Sequence, residues 1–232
     1  MPRSLVAALS LSLALVAGCT PRAVIPDSER QRVTAEVSGQ QRWLRVAVWV
    51  TPFWGDRTKV LLTDVPPEQL DLVEDTGGNA IKPPPAERIL LPGTALRIHE
   101  VEFPTSWIIA SRVVMSPRYH PWVLLDPAGD GRTQVVVLSQ TTVSLDQVRA
   151  EVDRLLTVDD PAPVFSALPQ DQRDAIGRKE LVEGMGLRAV EMAWGPPERR
   201  RIDRPASTEE WIWPDGKRKA FFQEERLTRW ER

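Results

Sequence analysis

The sequence predicts an α+β chain of two folded parts, and three observations lead there. Through residues 33–158, short apolar stretches alternate with polar positions at period two, separated by proline and glycine turns. Residues 159–168 open on Asp159-Asp160-Pro161-Ala162-Pro163, which has the composition of a linker. Residues 169–232 then read as two short helices followed by an antiparallel sheet, a layered arrangement with the helices on one face.

In the first part, residues 43–50 set Leu44, Val46, Val48 and Val50 on one face and Trp43, Arg45, Ala47 and Trp49 on the other. That is the pattern of a half-buried strand, which Thr51-Pro52 should end because proline cannot donate to a ladder. Further strands are expected at 59–63, 70–74, 95–103, 107–114, 122–125 and 133–138. Turns are expected at Pro66-Pro67, Gly77-Gly78, Pro83-Pro84-Pro85, Pro92-Gly93 and Asp130-Gly131. Within 95–103 the apolar phase changes between Leu96 and Ile98 on one side and Val101 and Phe103 on the other. A β-bulge between Ile98 and Val101 reconciles the two. Strands of this length and spacing predict a small barrel or sandwich, and Leu91-Pro92-Gly93-Thr94-Ala95-Leu96-Arg97-Ile98 resembles the entry strand of bacterial SH3-like barrels. Ser144 and Gln147 form a capping box at the start of a helix whose apolar face is Leu145, Val148, Val152, Leu155 and Leu156. This helix should cover the β-rich domain at its C-terminal end.

The last part begins with a helix at 174–182, weakened by about 1 kcal/mol at Gly177. After Gly184-Met185-Gly186 a second helix spans 187–194, and Gly195-Pro196-Pro197 stops it. Strands are expected at 199–204, 208–213, 217–223 and 226–230, with Asp215-Gly216 a hairpin signal and Glu224-Glu225 the next tight connection. Trp194, Trp211 and Phe221 are expected to fill the core. Gly184-Met185, Val190, Trp194-Gly195-Pro196-Pro197, Trp211-Ile212-Trp213, Phe221-Phe222 and 227–230 together resemble the small outer-membrane assembly lipoproteins known as SmpA, OmlA or BamE. The resemblance covers about the last sixty residues and implies that fold for them. Gly186 stands where the family prefers threonine or serine, and Trp194 replaces its leucine. The extended segment that precedes the fold in that family is replaced here by a whole domain.

Before both parts lie Arg3 and a run over 5–17 that is apolar but for Ser10 and Ser12, shorter than the about 20 residues that a spanning helix needs. With the small pair Ala17-Gly18 at its end, the run reads as a secretory signal peptide of residues 1–18. Leu15-Val16-Ala17-Gly18-Cys19 resembles the lipobox of bacterial lipoproteins. That implies cleavage between Gly18 and Cys19 and acyl chains on Cys19, enough for a lasting anchor. The plainer alternative is a secreted protein with one buried cysteine. Residues 19–32 carry two prolines and no apolar periodicity, so they read as the lipidated N-terminus and a flexible tether. Thr20, which is not aspartate, implies by the rule of enteric bacteria an outer-membrane lipoprotein facing the periplasm.

Loss of residues 1–18 would remove one charge, Arg3, taking the formal net charge from −2 to −3 over 214 residues. That balance does not suggest a nucleic-acid partner. With two histidines and one cysteine the chain is poor in metal ligands, and no cofactor is expected. His99 and His120 should be surface or locally hydrogen-bonded groups, and residues 126–131 a hairpin connection lacking the ligand pattern of a calcium loop. No nucleophile elbow or acid–base pair can be assembled, so catalysis is not expected. Binding is. The candidate patch comprises Trp54, Trp107 and Trp122, which lie next to turns or prolines, and the basic run Arg199-Arg200-Arg201. That run reads either as a surface for anionic headgroups or an acidic partner, or as a solvated sheet face interleaved with acidic residues. Two functions follow as expectations: a structural or interaction lipoprotein meeting an envelope protein partner, accessory to outer-membrane assembly, or a periplasmic module holding a cell-wall fragment, glycan or small ligand.

Overall fold

The structure is a computed structural model that describes residues 24–214 and 216–232. Gly18, Cys19 and the rest of the expected leader, like Asp215 of the expected hairpin, lie outside the described residues. Within them the chain is α+β, with two sheets. The helices are α1 (Asp27–Val37), α2 (Ser106–Ser111), α3 (Leu145–Leu155), α4 (Ala162–Ser166), α5 (Gln170–Gly177) and α6 (Leu187–Trp194).

The larger sheet holds β1 (Gln41–Leu44), β2 (Val48–Phe53), β3 (Asp56–Thr63), β4 (Arg88–Leu90), β5 (Ala95–Glu102), β6 (Trp122–Pro127), β7 (Thr133–Val137) and β8 (Leu156–Thr157). Its order is β4-β2-β3-β7-β6-β5-β1-β8. All pairs are antiparallel except β3 with β7, which is parallel. Of the expected small barrel or sandwich, the barrel is therefore corrected: the strands form one sheet with two ends. The outer strands β4 and β8 are three and two residues long, too short to supply a closing ladder.

Alternation along the inner strands feeds two cores on opposite faces. Val60, Leu62, Val123, Leu125 and Val136 point into the first, and Leu61, Trp122 and Val135 into the second. α1 and α3 cover the first face. Val33 and Val37, one turn apart on α1, are buried there with Val148 and Val152 of α3. Residues 27–32, expected as tether, are the first turns of α1, a second correction. Its polar surface hid it, and its contacts with α3 hold it. Glu29 Oε2 accepts the backbone N–H of Leu145 at 2.9 Å, capping α3 from outside, and Glu36 pairs with Arg149. Ser144 Oγ accepts from Gln147 N at 3.3 Å as expected, whereas Gln147 reaches one residue further back, to Val143 N, at 2.7 Å.

Other strand expectations shift in instructive ways. The single strand at 43–50 is two, because residues 45–47 leave the sheet toward the C-terminal unit, while Leu44, Val46, Val48 and Val50 all stay buried. Pro52 does not end β2 but sits inside it, at a register shift where a ladder donor is not needed. Residues 70–74 form no strand; Leu70 and Leu72 instead pack on the second core. Residues 107–114 are not a strand either. Thr105 accepts the Ile108 N–H at 3.4 Å and caps α2. The expected bulge in β5 is present, as a register shift between Ile98 and Glu100.

The C-terminal unit places α4, α5 and α6 against β9 (Arg199–Asp203), β10 (Thr208–Ile212), β11 (Lys219–Gln223) and β12 (Arg226–Glu231), an antiparallel meander in the order β12-β11-β10-β9. α4 lies inside the expected linker, where Val164 and Phe165 pack on the core. α6 falls where its periodicity predicts. α5 starts and stops earlier than expected, ending at Gly177. Trp194, Trp211, Trp213 and Phe222 fill the interior, with Trp194 and Trp213 edge to face at 5.1 Å. Phe222 and not Phe221 takes the core place, because Ala220 sets the inward parity of β11.

The two units meet through Ala47, which belongs to the second core. Its N–H donates to Met192 O at 2.7 Å and its carbonyl accepts from Lys179 Nζ at 2.6 Å. Lys179 is fully buried with its ammonium 4.5 Å from the Trp49 ring centre. Gly195, at φ +84°, lies so near Asp64 that a Cβ would stand 2.3 Å from its Oδ2, so only glycine fits this close approach.

Candidate docking surface beside the chain entry

Exposed large apolar side chains are unevenly placed. Among the described residues they include Trp107, Val113, Val114 and Met115 within one stretch, against Val24, Leu91, Val158, Ile202 and Trp230 scattered elsewhere. Trp107 is 80% exposed and Val114 66%. A concentration of this kind makes the stretch a candidate contact surface.

The sequence puts this stretch outside because one charged side chain pulls its own backbone inward. Arg112 is buried behind α2. Its guanidinium donates to Glu102 Oε1 at 2.6 and 2.9 Å and to the carbonyls of Arg118 and His120 at 3.0 and 2.7 Å. It also stacks 3.5 Å from the Trp122 ring centre. Burial pulls the Arg112 pKa below the usual guanidinium value, and the Glu102 carboxylate opposes that shift. Trp122 Nε1 donates to Pro117 O at 3.1 Å. Three carbonyls of residues 112–121 are thus satisfied without a ladder, so the stretch is fixed in place. Val113, Val114 and Met115 cannot turn inward while Arg112 does.

His120 closes the same frame. Its Nδ1 lies 2.7 Å from Leu138 O and its Nε2 3.0 Å from Gln140 Nε2. The first nitrogen therefore carries the proton, and the second accepts. Burial lowers its pKa, against the pull of the Leu138 carbonyl. His99 is exposed, 3.7 Å from Asp126.

Two clefts flank the stretch, sharing Tyr119 and Gln140. One, of about 600 Å³, is lined by Val24, Ile25, Arg30, Phe103, Ser106 and Ile109. The other, of about 750 Å³, is lined by Leu72, Ile81, Val114 and Met115. The first sets α2 beside the point where the described chain begins.

Of the residues singled out from sequence, Trp107 belongs to this surface. Trp122 does not: it is 2% exposed, a core residue beneath the surface and the platform for Arg112. Trp54 is half-buried, with its indole N–H on Ile81 O at 2.9 Å. Arg199, Arg200 and Arg201 lie far along the chain on β9, the exposed outer strand of the meander. Arg201 pairs with Glu210 at 3.0 Å, and Arg200 lies 3.7 Å from Glu191 and stacks on Trp211 at 4.3 Å. Two of the three thus have acidic or aromatic partners, and charge on an outer strand guards against edge pairing. Sequence reasoning missed Arg112 and 113–115, which looked like the end of a strand; the signal for them was Thr105 as a helix cap directly after Pro104.

Among the described residues no cluster of three or more metal-binding side chains is assembled, and no helix is long and apolar enough to cross a membrane. In comparisons with known proteins, no family model, curated protein or solved structure matches the chain.

Proposed function

We propose that this chain is a lipid-anchored envelope protein that works by contact and not by catalysis, held through Cys19 to the periplasmic face of the outer membrane. The observation that carries the reading is a conjunction. A lipobox-like Leu15-Val16-Ala17-Gly18-Cys19 ends five residues before Val24, and Val24 lines a cleft with α2, next to the exposed Trp107. The finer reading of the C-terminal unit, as a relative of the BamE-type lipoproteins and an accessory to outer-membrane assembly, rests on the residues from Gly184 to Trp230 described above. It is supported by α6 preceding a four-stranded meander.

The experiment is growth with radiolabelled palmitate, followed by crosslinking in native membranes. The mature protein should carry label and be captured with envelope proteins. An unlabelled protein that leaves with the wash ends this reading. The shared lining of the two clefts by Tyr119 and Gln140 favours one second reading, a module that holds a glycan or another small ligand there. Retention of cell-wall fragments, lost on Tyr119→Ala, would select it.

A further inference from the structure

We infer that the surface formed by Trp107, Val113, Val114 and Met115 docks on the bilayer interface itself, as a second and shallow membrane contact. The inference rests on the lipid-anchor reading above and names the component that the anchored body meets first.

Reach is the first argument. Val24 is the fifth residue after Cys19, and an extended chain spans at most about 3.6 Å per residue, so Val24 stays within about 18 Å of the lipidated residue. Val24 and Ile25 line one cleft with Ser106 and Ile109 of α2. The Trp107 side of the body is therefore kept at the membrane by the shortness of the link.

Charge is the second. Between Pro104 and Pro117 the chain carries one charged residue, Arg112, and its side chain is buried against Glu102. What faces outward from this stretch is apolar or hydroxyl-bearing. Charge returns at the margin, where Asp71, Glu74, Asp75 and Arg118 line the cleft beside Val114 and Met115, so it is the projecting tip and not the rim that is free of it. An uncharged projection led by an exposed tryptophan is suited to the headgroup boundary, where an indole sits with its ring in the acyl layer and its N–H in water. At that margin Arg30, paired with Asp27, lines the first cleft, and Arg118, held by Tyr119 Oη at 2.8 Å, lines the second beside the three carboxylates; charges of both signs there face the headgroup layer and leave the apolar tip to enter it.

The test uses the acylated full chain in vesicles of phosphatidylethanolamine and phosphatidylglycerol. Cys19 is the only cysteine and is consumed by acylation, so Val114→Cys offers one thiol for an environment-sensitive fluorophore. Arg204→Cys, in the turn between β9 and β10, serves as reference. The label at 114 should shift to the blue and lose most of its emission to brominated acyl chains, while the label at 204 keeps its emission. Trp107→Ser should restore the emission at 114. Equal emission at both positions in a protein that floats with the vesicles overturns the inference alone. Shielding of position 114 only after an envelope protein extract is added overturns it in favour of a protein partner. A mature N-terminus that mass spectrometry finds unacylated, with no flotation, instead removes the anchor reading beneath it.

Discussion

Lys179 places its ammonium 2.6 Å from the carbonyl oxygen of Ala47, joining the C-terminal unit to a residue between two strands of the larger sheet. The lysine is fully buried, with Trp49 beneath it, and its pKa is drawn from 10.5 down to about 7. Burial is the main cause; Asp64 opposes the shift and Arg218 and Arg232 reinforce it. A lysine that is easier to deprotonate when folded means that the unfolded chain binds more protons between pH 7 and 10.5. The free energy of unfolding should therefore rise with pH across that window, by up to about 1.4 kcal/mol per unit. Lys179→Met should flatten the rise, and urea melts at three alkaline pH values would show it. A slope unchanged in the variant assigns the rise to another group.

Arg112 and Glu102 form the ion pair that holds the exposed stretch, with the arginine side chain 3% accessible. Removing one member leaves the other charge unpaired and frees the carbonyls of Arg118 and His120. Arg112→Met should cost about 3–5 kcal/mol, read by denaturant unfolding. Trp107→Ala should change stability by less than about 0.5 kcal/mol, since its side chain is in water.

His120 gives the same region a dependence on acid. Its pKa is lowered from 6.5 by burial. Below pH 6.5 the unfolded chain takes up a proton that the folded imidazole still refuses, so stability falls as pH drops through 6.5 toward the folded value. His120→Gln should lessen the loss between pH 7 and 5. Melting temperatures across that range check it.

The connection from β11 to β12 offers a gain. Glu224 and Glu225 take φ of +50° and +63°, the left-handed pair of a two-residue hairpin that asparagine and glycine adopt more readily. Glu224→Asn with Glu225→Gly should raise stability by about 1 kcal/mol, visible as a higher denaturation midpoint with an unchanged slope.

What could be read from the chain follows from where its order is local. α6 and the last four strands are bounded by glycine, proline and tight turns, so the periodicity and the structure agree within a residue or two. Ser144 announces α3 for the same reason. α1 could not be read, because its two inward valines are surrounded by charge and its hold on α3 is a contact between distant residues. At 107–114 the β-branched residues Ile108, Ile109, Val113 and Val114 suggested a strand, and one hydroxyl cap decided otherwise. The candidate surface was half legible. Trp107 stood out by type, whereas the inward turn of Arg112 depends on Glu102 and on the Trp122 ring, whose burial a neighbouring proline concealed.

Ala47 gives both its amide hydrogen and its carbonyl oxygen to the unit that follows. One residue of the first half thus has its main-chain hydrogen bonding finished by the second. Cutting the chain between them would consequently leave the Ala47 amide and carbonyl unpaired in one piece, and the Met192 carbonyl and the Lys179 amine unpaired in the other.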